Sequence, residues 1–172
     1  MTSFAITGEV ITAPTNGADG YLWGAELEGT MRLCDTLTAT GMVAYVDGEV
    51  DTFPTTESLT SVREPVSRLM PLTSSLAVRW QQPASDLWLG VRVTAVARGG
   101  RLSTRDRGDT SRIPPSGTPG YLHVMLNAGY QASESMELFF TLDNATDIDY
   151  RVHGSGLNEP GINAIVGGKL SW

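Results

Sequence analysis

Five arginines in one short stretch are the side chains here best suited to binding an anion. A guanidinium group grips carboxylate or phosphate through a planar fork of N–H donors. The same stretch also holds Asp106 and Asp109, which could neutralise the arginines in a solvated loop. The sequence favours the solvated loop and leaves anion binding open. The five are Arg98, Arg101, Arg105, Arg107 and Arg112.

Metal binding has weak support. His123 and His153 are the only histidines, Cys34 is the only cysteine, and a transition-metal site needs three or four converging ligands. For His153 the sequence favours a solvated loop position over a ligand-binding one. The acidic group at positions 47, 49 and 51 could hold Ca²⁺ through oxygen ligands, but it lacks a full calcium-loop pattern. We therefore expect a charged loop there and no metal site.

Catalytic motifs are absent from the sequence. It contains no G-x-S-x-G elbow, no H-E-x-x-H and no phosphate-binding glycine loop. His153 with Asp147 or Asp149 is the only grouping that could move a proton. A net charge of −7 argues against a nucleic-acid partner, which requires clustered Lys and Arg. We expect neither an enzyme nor a resident cofactor.

The elements that position these residues follow a period of two. Apolar and polar residues alternate along eight segments, which is the signature of strands with two different faces. Charged residues make up only 18% of the chain, and no apolar run reaches the length of a membrane-spanning helix. The eight predicted strands lie at about 3–13, 20–33, 36–46, 72–81, 87–98, 120–131, 136–143 and 162–172.

The connections between these strands alternate in length, and this predicts a transmembrane barrel. Short turns on one side and long loops on the other are typical of outer-membrane β-barrels. Aromatic residues also sort to the two strand ends, as at membrane interfaces. We predict an all-β fold of about eight long antiparallel meander strands in the bacterial outer membrane. The C-terminus would be periplasmic and the apolar face in contact with lipid.

Several segments resemble TonB-dependent outer-membrane receptors. In the family's penultimate strand and the loop after it, the matching residues are Asn144, Asp147, Tyr150 and Arg151. The segment 153–163 is similar to the loop before the final strand, except that Ile162 replaces the usual arginine. Weaker matches cover 16–28, 45–51 and 112–121, so the resemblance spans essentially the whole chain.

The resemblance implies a larger protein. Such receptors have a plug domain inside a 22-stranded barrel and import scarce ligands, such as ferric siderophores, haem or cobalamin, with energy passed through TonB. We interpret residues 1–172 as a single C-terminal fragment of that barrel, with the plug and the TonB contact in a missing N-terminal part. No signal peptide opens the chain, which fits the tail of a longer precursor.

Two alternatives of other classes stay open. One is a stand-alone eight-stranded barrel with a structural or adhesion role, which would need a filled interior. Small residues at predicted interior positions, such as Ser75, Ala77, Gly90 and Gly129, underfill it and favour a wide barrel. The other is a soluble β-sandwich binding module, which also shows alternating strands.

Two groups of candidate site residues follow. In a receptor, Arg101, Arg105, Arg107 and His153 would lie in outer loops and could meet a small iron complex or a similar ligand. Gly167, Leu170 and Trp172 match the C-terminal signal for barrel assembly. There a strand edge with a terminal aromatic pairs with the edge of the barrel-assembly machinery, a form of β-augmentation.

Replacing Trp172 with Ala should slow outer-membrane assembly of the parent protein, because the terminal aromatic of the signal is lost. The measurement is the fraction of heat-modifiable folded barrel on gels. An unchanged folded fraction would count against the assembly role.

Overall fold

The computed structural model describes residues 19–53 and 58–172. Within them the chain forms eight β-strands and one short helix. The strand predicted at 3–13 lies outside the described residues. The elements are β1 (Gly20–Arg32), β2 (Leu37–Thr52), β3 (Val62–Pro65), β4 (Thr73–Gln81), β5 (Leu87–Val96), α1 (Thr104–Gly108), β6 (Tyr121–Ser133), β7 (Met136–Asp143) and β8 (Asn163–Leu170).

All of the strands belong to one antiparallel sheet. The long strands lie in the order β1-β2-β4-β5-β6-β7-β8, so each pairs with its neighbour along the chain. The short β3 pairs only with the far end of β2. The predicted all-β meander is confirmed. Three short turns lie at one end of the sheet. The connections from β2 to β4, from β5 to β6 (97–120) and from β7 to β8 (144–162) leave from the other end, here called the loop end.

The strand register separates two chemically different faces. On the apolar face, Leu76 pairs with Val93, and Val91 pairs with Leu126. On the polar face, Arg79 pairs with Gly90, which pairs in turn with Asn127, and Asn127 pairs with Thr141. The apolar side chains stay largely uncovered; Leu27 is 74% exposed and Val166 77%. A bare apolar surface of this extent suits lipid contact rather than water.

No helix among the described residues is long and apolar enough to cross a membrane.

The strand β2 extends further than the alternation predicts. The sequence predicted a charged loop from Asp47, whereas the strand continues to Thr52 and forms a hairpin with β3. Arg63 Nε lies 2.7 Å from Asp51 Oδ1 on the paired strand. Arg101 binds Asp47 and also Glu49, whose Oε1 lies 2.9 Å from Arg101 Nη2. These partners neutralise the acidic residues and allow the strand to continue.

Glycines on the polar face make room for aromatic rings from the next strand. Trp88 lies across Gly129, where an added Cβ would overlap the indole Nε1. The indole N–H donates to Glu137 Oε1 at 3.2 Å, and the Arg79 guanidinium carbon lies 4.1 Å from the ring centroid. One ring therefore links β4, β5, β6 and β7. Phe139 covers Gly167 in the same way.

Replacing Gly129 with Ala should destabilise the full-length protein that carries this chain, by about 1–3 kcal/mol, since the new methyl group displaces Trp88. The measurement is the denaturant midpoint of the detergent-solubilised protein, followed by tryptophan fluorescence. Gly29→Ala is the matched control, because nothing lies within 4 Å of a Cβ added there. Equal midpoints for the two variants would show that the glycine is not needed for ring packing.

Candidate functional site

The tightly packed core of the described chain lies in the loops, not on the sheet. Its buried hydrophobic side chains are Leu102, 6% exposed, and Ile113, 1% exposed. Most of the other buried side chains in this loop core are polar, and each is held by hydrogen bonds, as burial requires. They are Ser103, Asp106, Thr118, Asn144 and His153. The three long loops thus form one packed body at the loop end.

The Asp106 carboxylate joins two of these loops. It accepts hydrogen bonds from Ser67 Oγ at 2.6 Å, the Arg68 amide at 3.2 Å and the Ser103 amide at 3.1 Å. Ser103 in turn caps α1 through the Asp106 amide. Burial alone would raise the pKa of Asp106, but the bonds from Ser67, Ser103 and Arg68 outweigh it and hold the pKa below its usual value. The group is therefore a buried, charged link.

His153 is buried in the loop core, and the expected solvated position is wrong. Its side chain is 7% exposed and its Nδ1 lies 2.9 Å from Thr118 Oγ1. A Cβ added at Gly99 would come within 2.7 Å of the same nitrogen, so the backbone passes close to the ring. Burial lowers the pKa of His153, with Asp106 acting weakly in the opposite direction. The neutral ring therefore has a structural position; its predicted ligand role stays a prediction.

The structure separates the three candidate arginines. Arg101 is held by ion pairs to Asp47 and Glu49. These two residues alternate along β2 with Tyr45 and therefore lie on the same, apolar face of the strand. Arg105 and Arg107 lie on α1 with exposed side chains. All three side chains reach solvent, since Arg101 is itself 49% exposed. They differ in that Arg101 is held by ion pairs to β2, whereas Arg105 and Arg107 lie on α1.

Asn144 closes the loop between β7 and β8 like a clasp. It is fully buried, with a left-handed φ of 48°. Its Nδ2 donates to the Ile148 carbonyl at 2.9 Å and the Pro160 carbonyl at 3.1 Å. Asp147, at φ 51°, accepts from the Ile162 amide at 2.9 Å. Asn and Asp tolerate this backbone conformation and bond to nearby amides, which explains their place in the motif.

The loop that Asn144 closes places the ring of Tyr150 on the polar face of the sheet. Tyr150 packs against Tyr121, with ring centroids 4.5 Å apart, and against His123 at 5.4 Å. Burial raises the pKa of Tyr150, and Asp143 and Glu159 raise it further, so the phenol stays neutral. Its hydroxyl can then act as a hydrogen-bond donor.

A pocket of about 210 Å³ opens beside these tyrosines and is the candidate ligand-binding surface. Arg151 Nε donates to Asn158 Oδ1 at 2.9 Å, and Asn158 Nδ2 donates to Asp149 Oδ1 at 2.7 Å. The pocket thus combines aromatic rings, a guanidinium and fixed polar groups. The sequence flagged Tyr150 and Arg151 as motif positions but not as a pocket. Its lining includes Pro114, Pro119, Tyr121, Asp149, Tyr150 and Arg151.

The remaining candidate residues occupy the last strand. Gly167 lies beneath Phe139, Leu170 ends β8 with 66% of its side chain exposed, and Trp172 follows the strand fully exposed. In the part of the chain that the structure describes, no three His, Cys, Asp or Glu side chains converge as a metal site would need.

The two-faced meander with packed loops at one end defines the wall of an outer-membrane β-barrel. The family described as "TonB dependent receptor-like, beta-barrel" matches residues 2–145, and the chain belongs to this family. Its members are outer-membrane proteins and not enzymes. Among curated proteins, no relative matches the chain.

Solved structures show the same fold. The match to "Copper transporter OprC" has a TM-score of 0.73 and 19% sequence identity, and it covers 92% of this chain. The same match covers 24% of OprC, so the chain spans about a quarter of that protein's length. At this identity the likeness concerns the fold alone.

Replacing Asp106 with Asn should loosen the loop core by about 1–3 kcal/mol, because an amide cannot accept all the bonds that the carboxylate receives. Limited proteolysis of the full-length protein should cut faster within 58–72 and 97–120. Since the folded pKa is depressed, the Asp106 contribution is complete above about pH 4 and is lost as pH falls further.

Asp35→Asn is the control for this substitution, since Asp35 forms an exposed ion pair in a turn at the opposite end of the sheet. The link is refuted by equal cleavage of the two variants.

Proposed function

We propose that this chain forms the C-terminal part of the wall of a TonB-dependent receptor that imports a scarce ligand across the outer membrane. The family match and the 24% coverage of OprC support a larger barrel around this sheet. On this proposal the plug and the contact with TonB belong to other parts of the receptor. The polar face then lines the barrel interior, and the apolar face contacts outer-membrane lipid.

The observation that carries the ligand-binding proposal is the pocket between Tyr121, Tyr150 and Arg151. It lies at the loop end on the polar side, where a ligand entering from outside would meet the wall. Aromatic rings and a guanidinium together bind flat, oxygen-rich groups, which occur in ferric siderophores and haem. We propose that the cargo belongs to one of the classes that the sequence suggested: ferric siderophores, haem or cobalamin.

The loop arginines divide into two proposed roles. Arg105 and Arg107 are exposed on α1 and are proposed to meet an anionic ligand first. Arg101 and His153 are already engaged by Asp47, Glu49 and Thr118, so we assign them to holding the loops in place.

The strand β8 is proposed to direct assembly. Its exposed Leu170 and the fully exposed Trp172 are accessible to the barrel-assembly machinery. The three short turns lie at the same end of the sheet as Trp172, and short turns are periplasmic in such barrels. We therefore propose that the C-terminus is periplasmic.

Uptake in cells tests the proposed function. A strain lacking the full-length gene should lose uptake of one probe from a panel of ⁵⁵Fe-hydroxamate, ⁵⁵Fe-catecholate, ⁵⁵Fe-citrate, haem and cyanocobalamin. Copper(II) is included because OprC is named a copper transporter. The same probe should be lost when TonB is removed. Unchanged uptake of every probe, or loss that is independent of TonB, would contradict the proposal.

The probe identified in this way then tests the loop arginines. Arg105→Ala combined with Arg107→Ala should weaken binding of an anionic probe by roughly two- to tenfold, as expected for exposed charge pairs. Arg32→Ala, in a turn at the opposite end, is the matched control and should leave the affinity unchanged. Equal affinity of the double variant and the control would remove the α1 arginines from the site.

A further inference from the structure

Two groups contact the same nitrogen of His123, Nε2. One is a hydrogen-bond donor and the other is an acceptor. His123 lies on the polar face of β6 and is 9% exposed. The backbone N–H of Asn144 donates a hydrogen bond to the Nε2 atom of His123 at 3.2 Å. Asp143 Oδ1 lies 3.0 Å from the same Nε2, and this buried oxygen accepts no hydrogen bond from the residues that the structure describes.

The proton on His123 decides which of these groups has a partner. In the neutral ring with its proton on Nδ1, the Nε2 lone pair accepts from Asn144 and Asp143 Oδ1 has no donor. In the charged ring, Nε2 donates to Asp143 and the Asn144 amide loses its acceptor. One nitrogen cannot do both. The neutral ring can accept from Asn144 when its proton is on Nδ1, whereas the charged ring always carries a proton on Nε2 and cannot accept.

This backbone N–H belongs to Asn144, the residue whose side chain closes the loop 144–162. Asn144 is fully buried and its side chain holds the carbonyls of Ile148 and Pro160. Tyr150, on the same loop, covers the His123 ring. A charge on His123 therefore acts directly on the residue that fixes the loop and on the ring above it.

We propose that His123 is a proton-operated latch for the loop 144–162. The neutral ring holds Asn144 and keeps the loop closed. The protonated ring donates from Nε2 to Asp143. The backbone N–H of Asn144 then has no acceptor, and the loop loosens. Because a proton on Nε2 removes the acceptor of the Asn144 backbone N–H, we expect the loop to loosen as the pH falls.

The surroundings of His123 favour this direction of the switch. The strand β7 presents Asp143, the carboxylate that binds the charged ring. The strand β5 presents uncharged Thr94 opposite His123, and β6 itself presents Tyr121. The loop presents Tyr150, with Glu159 acting on both tyrosines. Asp143 is therefore the carboxylate in contact with the ring, and Glu159 acts on the two tyrosines beside it.

Hydrogen exchange of the full-length protein in detergent micelles tests the latch. Protection of peptides from 144–162, corrected for the intrinsic pH dependence of exchange, should fall about threefold or more between about pH 8 and pH 5.5. His123→Gln should abolish this step, since a glutamine carbonyl can accept from Asn144 but cannot gain a proton. A wild-type protein without the step would overturn the proposal.

The chain has two histidines, so His153→Gln is the matched control. His153 lies in the same loop, and this variant should keep the pH step even if the loop is less protected overall. Loss of the step in His153→Gln, or its persistence in His123→Gln, would assign the effect to the other histidine and refute the latch.

Asp143→Asn provides a second, independent variant in case His123→Gln does not fold. Without the carboxylate, the charged ring loses its partner, and the step should move to lower pH. A step at the wild-type pH in Asp143→Asn would also overturn the latch. None of these outcomes depends on which ligand the receptor imports.

Discussion

The backbone of a sheet in a membrane must satisfy its hydrogen bonds from strand to strand, because lipid offers no partners. The ladder here runs without interruption from β1 to β8, apart from one register shift near the end of β6. Once that ladder is fixed, alternate side chains must face opposite surroundings. The exposed leucines and valines of the apolar face, the polar side chains of the opposite face and the loops at the far end all follow from this one constraint.

The loops follow a different rule, because they have little apolar surface to bury. Their packing depends on buried polar groups that have hydrogen-bond partners. These are the Asp106 carboxylate, the side-chain amide of Asn144 and the His153–Thr118 pair. Such networks stabilise one arrangement over others, because each broken bond leaves a buried group unpaired. The loop body therefore fixes Tyr150 and Arg151 in a preformed surface, which is where we propose that a ligand binds.

The sequence predicted what depends on local pattern and missed what depends on distant partners. Alternation located the seven long strands of the described residues, with β7 at its predicted bounds, and loop lengths indicated the meander. It did not predict the short β3, and the strand predicted at 3–13 lies outside the described residues. The extension of β2 was missed because Asp47, Glu49 and Asp51 resemble a loop until Arg101 and Arg63 neutralise them. The burial of His153 was missed for the same reason, since Thr118 and Gly99 come from another loop. The pocket likewise exists only after three segments pack together.

The central claim is that alternate residues of each long strand face lipid and the barrel interior, and a spin-label scan along β6 tests it most directly. The full-length protein in lipid vesicles would carry single cysteines from 121 to 130, after Cys34→Ser removes the chain's only native cysteine. Collision with oxygen should peak at Leu122, Val124, Leu126 and Ala128, and access of a water-soluble nickel chelate should peak at the residues between them. A scan without a period of two, or with the two probes reversed, would contradict the account.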